Sequence, residues 1–207
     1  MSALRRLHAR FRSGAERGQA MLEMALILPV LLLIVLGTLE FGFVMDHKLT
    51  LEYASREAAR VGSALADGGG SPGCLTVDNE IIAAAQRILE SSDSNIEIAA
   101  VSQIRIYRAD LGPGPDGRED VGSDPVNVWL YQPGAGPTVD GVPLDFAPTG
   151  APGWNACGRI NTGVNPESIG VSVTYTYVSR TPLQAIMNLL QIGMYDFTVF
   201  ELNPTNN

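Results

Sequence analysis

The chain has 207 residues, of which 45% are hydrophobic, 17% charged and 7% aromatic, and its formal charge is −8. This composition excludes a disordered chain, and the strong acidity argues against nucleic acid as a partner. The two cysteines and two histidines carry no zinc-binding spacing, and His8 and His47 are divided by a long apolar run.

Residues 1–18 contain Arg5, Arg6, Arg10, Arg12 and Arg17 against the single acid Glu16. They read as a basic cytoplasmic leader. The charge surplus there is four, so residues 19–207 carry −12. From Met24 to Leu39 come 16 residues without a formal charge, and Glu40 alone interrupts the run before Met45. A helix of about 20 residues crosses the ~30 Å hydrocarbon core of a bilayer. We therefore read 19–45 as a single transmembrane helix. A basic flank remains in the cytoplasm, which directs 46–207 outward as an exported domain. A secretory signal peptide would have a core of about 7–15 residues and a small-residue cleavage site behind it. Gly37-Thr38-Leu39-Glu40 offers no such site. Pro29 lies inside the span, where membrane helices tolerate proline, and predicts a bend there. Glu23 and Glu40 stand near the two ends of the run, and Glu40 is expected to reach the interface.

The helix is expected to continue past Met45. Val44, Leu51, Ala54, Ala58, Val61 and Leu65 follow a heptad-type spacing, either as a seam against the chain's own domain or as a bundle surface for sister subunits. Asp67-Gly68-Gly69-Gly70-Ser71-Pro72-Gly73 ends it. Asp78 to Glu90 reads as a second helix, with Ile81, Ile88 and Leu89 on one face. Ile96 to Arg108 reads as a strand, with Ile104 and Ile106 on one face and Arg105 and Tyr107 on the other. Residues 110–168 hold 11 Gly and 9 Pro, a loop region with one short strand candidate, Val126–Tyr131. Asp110, Asp116, Glu119, Asp120 and Asp124 crowd its start. They lack the EF-hand order and read as solvated turn acids rather than a calcium loop. Ile169 to Ser179 alternates as a clear strand. Thr181-Pro182 then opens an apolar helix, Pro182–Ile192, closed by Gly193. Tyr195 to Glu201 is the last strand, and residues 203–207 form a frayed tail. Cys74 and Cys157 both fall in the exported part, where a disulfide can form. It would close a loop of more than 80 residues, worth about 4–5 kcal/mol in the chain-entropy treatment.

Gly18 followed by Glu23, at the start of a hydrophobic helix, resembles the prepilin peptidase site of type IV pilins. Glu23-Met24-Ala25-Leu26-Ile27-Leu28-Pro29, then Leu39-Glu40-Phe41-Gly42, then Ala54-Ser55-Arg56-Glu57-Ala58-Ala59-Arg60 extend the likeness. In this order they resemble the TadE-like pseudopilins of tight-adherence (Flp, type IVb) pilus systems, over residues 17–62. The resemblance implies cleavage between Gly18 and Gln19 by the prepilin peptidase. Gln19 stands where many pilins carry Phe. It also implies that Glu23 pairs with a neighbouring subunit's N-terminal amine during assembly. The implied partners are other pseudopilins, pilins and the assembly platform in the membrane. No cofactor or metal is implied.

The expected fold is α+β and pilin-like in outline. A long N-terminal helix leads into an outer domain with a small, mainly antiparallel sheet. No catalytic constellation is visible: the outer domain has no histidine beyond His47 and no nucleophile elbow. The leading reading is a non-enzymatic minor pilin or pseudopilin for surface attachment. The alternatives are a membrane-anchored binding domain without a pilus role, or an anchored hydrolase.

Overall fold

The computed structural model describes residues 2–109, 117–120, 122, 124–163, 165–182 and 191–202, with side chains from residue 18 onward. The chain is α+β: one long N-terminal apolar helix and a domain with a small antiparallel sheet. It divides into two compact units. Helix α1, Ser2–Leu65, is one continuous element with Pro29 inside it, and its residues contribute to both.

The first unit takes α1 up to Phe43 together with the stretch that begins at Ser179. Between Met24 and Leu39 α1 is apolar around its whole circumference. Met21, Leu26, Leu31 and Ile34 are all more than half exposed. A helix with this pattern lacks a core of its own to bury in.

The second unit starts at Val44 and holds the sheet. On α1 the fully buried positions Leu51, Ala54, Ser55, Ala58 and Ala59, with His47 and Gly62, form a continuous face. This face is wider than the heptad seam, and Leu65 lies outside it at 36% exposed. The surface of α1 that carries Leu51, Ala54 and Ala58 is therefore spent on the chain's own core. Its small side chains let the helix approach closely. A Cβ at Gly62 would stand 2.6 Å from Ile169 Cδ1 and 3.0 Å from Ile81 Cδ1. Helix α1 ends where Ala66 takes a left-handed φ of 50°.

Helix α2, Val77–Leu89, buries Ile81, Ile82, Ala85 and Leu89. Asp78 and Glu80 occupy its first turn and Arg87 its last, both matched to the helix dipole. Each fully buried Leu or Ile contributes about 1.5–3 kcal/mol relative to exposure.

The strands are β1 Val101–Ala109, β2 Val126–Tyr131, β3 Thr138–Val139, β4 Val142–Pro143, β5 Phe146–Pro148, β6 Ser168–Val178 and β7 Gln191–Glu201. The main sheet runs β5-β2-β1-β6-β7, every neighbouring pair antiparallel. β3 and β4 form a separate hairpin. Its turn is Asp140-Gly141, both with positive φ, as a tight two-residue hairpin requires.

Two expectations change. Residues 98–100 form a 3-10 turn, so β1 begins at Val101 rather than Ile96. Tyr107, on the face opposite Ile104 and Ile106, is fully buried as they are. Gln191, Ile192 and Gly193 do not end a helix. They open β7, paired with Val178, Tyr177 and Thr176. An 11-residue partner strand extends β7 back past the point where local periodicity placed a helix end. Residues 183–190 of the expected helix, the tail 203–207, Asp110 and Asp116 lie outside the described residues.

Candidate functional site

Gly18, Gln19 and Glu23 lie on one stretch of α1, and all three are exposed. Nothing comes within 4 Å of the Cβ position of Gly18. Five residues of helix rise put Glu23 about 7.5 Å further along the axis. Pro29 follows within the same helix, also exposed. Among the described residues one helix, Gly18–Leu65, is long and apolar enough to cross a membrane, and its most apolar stretch is wholly unburied.

Glu40, expected to reach the interface, also has partners within the chain. It is only 8% exposed. Its Oε1 accepts the backbone N–H of Arg180 at 3.3 Å, and Oε2 accepts that of Thr181 at 3.2 Å. Two amides thus share the charge that burial would otherwise leave unsolvated. Sequence reasoning missed this contact because its ends are 140 residues apart. The clue available was a lone acid closing an uncharged run.

In the second unit, polar side chains fix α1 against the last two strands. Lys48 Nζ pairs with Asp196 Oδ1 at 2.5 Å and donates to the Tyr195 carbonyl at 3.0 Å. Ser55 Oγ donates to Asp196 Oδ2 at 2.6 Å. Buried His47 places Nδ1 3.0 Å from Tyr175 Oη and meets the Tyr177 ring edge-on at 5.0 Å. Partial burial pushes the Tyr195 hydroxyl above the ordinary tyrosine range. The hydrogen bond from Arg60 holds the Glu57 carboxyl below the ordinary glutamate range.

Cys74 and Cys157 are joined by a disulfide, with Cα atoms 4.9 Å apart. It ties the turn after α1 to the 3-10 turn before β6. Asp78 sits beside it in sequence and bonds Arg159 at 2.5 Å and Asn127 at 2.6 Å. The Arg159 guanidinium lies 4.4 Å from the Trp154 ring centroid. The buried guanidinium is paired through Nη2 and stacked on an aromatic face, while its Nε and Nη1 find no hydrogen-bond partner among the described residues.

The loop acids do not converge. Glu119 pairs with Arg105, and Asp124 accepts the amide of Asp120 at 2.8 Å. Among the described residues no group of three His, Cys, Asp or Glu side chains could hold a metal ion.

No curated protein and no solved structure matches the chain. Residues 18–60 match the model of the TadE-like protein family, a segment that holds Gly18, Glu23, Pro29 and Glu40.

Proposed function

We propose that the chain is a membrane-anchored pseudopilin, or minor pilin, acting in assembly of a tight-adherence pilus used for surface attachment. Residues 1–18 are a cytoplasmic leader removed by the prepilin peptidase, 19–45 span the membrane, and 46–207 lie on its outer side. The observation that carries this reading is Gly18 and Glu23 ahead of an unbroken, unburied apolar helix, inside the segment matched by the TadE-like family. Gly18 is open on all sides, as a peptidase substrate needs. The small-residue face of α1 serves its own domain, which leaves the part below Phe43 for neighbouring subunits.

Glu23 is the assembly residue in this reading. After cleavage the amine of Gln19 is four residues away on the same helix. It meets a neighbour's Glu23 when subunits stack with one axial offset. Removing one partner strands the other charge, at about 3–5 kcal/mol where the site is buried. Glu23→Ala should therefore be cleaved, insert and fold outside, yet lose co-purification with partner pseudopilins and reduce piliation. Retained partners together with normal pili would refute the role.

A further inference from the structure

Glu40 is the first formal charge after the 16 uncharged residues 24–39. At 1.5 Å per residue it stands about 32 Å along the helix from Gln19, where the span begins. That is the far edge of a hydrocarbon layer of about 30 Å. A carboxylate at this level needs water or donors. Its donors are the amides of Arg180 and Thr181, which bring a distant turn to the exit of the span.

The side chains around this junction have the character of a headgroup layer. Phe41 is 63% and Phe43 36% exposed on the helix, while Arg180 and Pro182 are exposed on the turn. Arginines settle where hydrocarbon meets water, and exposed phenylalanine rings favour its hydrocarbon side. Ser179 and Thr181 point inward, and their buried hydroxyls have no hydrogen-bond partner. The backbone bonds from Arg180 and Thr181 tie the turn to Glu40.

We propose that Ser179–Pro182 is a second contact of this chain with the membrane. The turn lies in the headgroup layer of the outer leaflet, with the Arg180 guanidinium against a phospholipid phosphate and Glu40 holding the turn in place. The inference rests on the membrane reading of α1. Glu40 acts here as a positioning residue, because it reaches the lipid through the turn.

The test uses full-length protein in vesicles of phosphatidylethanolamine and phosphatidylglycerol whose acyl chains are brominated either near the headgroup or near the chain end. The native Trp129 and Trp154 are buried in the outer domain and supply a lipid-independent background. P182W should add emission that shallow bromines quench strongly and deep bromines weakly. E40A and R180E, each placed on P182W, should lose at least half of that shallow quenching. L31W, in the middle of the span, should be quenched by deep bromines with or without E40A. If L31W is not quenched, the membrane reading fails and this inference falls with it. If L31W is quenched and P182W is not, the turn faces water or protein and this inference alone is overturned. Unchanged quenching in the E40A, P182W protein would remove Glu40 as the tether.

Discussion

Tyr107 and Gly170 are register partners on β1 and β6. The Tyr107 ring occupies the space where a side chain at 170 would stand, and its hydroxyl donates to the Gly117 carbonyl at 2.9 Å. Gly170→Ala drives a methyl into a buried aromatic ring. It should destabilise the fold by about 1–3 kcal/mol, the usual cost of overpacking. Gly193→Ala is the control, since its Cβ meets nothing within 4 Å. Thermal unfolding of both variants in detergent decides it; equal midpoints would contradict the packing account. A smaller effect belongs to Glu57, whose carboxyl is held low by the hydrogen bond from Arg60. A depressed carboxyl stabilises the fold above its unfolded pKa and loses that contribution as pH falls through the folded value. The stability gap between the unaltered protein and Glu57→Gln should therefore close in acid. A gap that widens there would reverse the assignment.

At the scale of elements, the disulfide joins the turn after α1 to the 3-10 turn before β6. Its ends are 83 residues apart in sequence. Replacing both cysteines by serine should cost about 2–5 kcal/mol, read as a lower denaturant midpoint of the second unit. An unchanged midpoint would mean that the bridge constrains nothing the core does not already fix. The elements differed in how well sequence exposed them. α2 and β2 were legible to within a residue, because an amphipathic period and a β-branched, aromatic run are local signals. β6 was legible for the same reason. The start of β7 was not, since β6 dictates it through pairing and local periodicity pointed to a helix end. The Glu40 contact and the Asp78–Arg159–Trp154 cluster join residues far apart in the chain, beyond any local pattern.

At the scale of the whole molecule, one stretch of sequence carries the functional reading. The uncharged run was legible without coordinates, since lipid solvation acts on one contiguous segment, and Gly18 and Glu23 stand just before it. The structure adds that the apolar part of α1 remains unburied, and that the small-residue face further along it is committed to the core. The measurement that tests the central claim most directly is the N-terminal sequence of the protein recovered from membranes. The account predicts a mature chain that begins at Gln19, and a bulky residue in place of Gly18 should leave the precursor intact. A mature protein that begins beyond Gly37 would show secretory processing and contradict the pseudopilin reading.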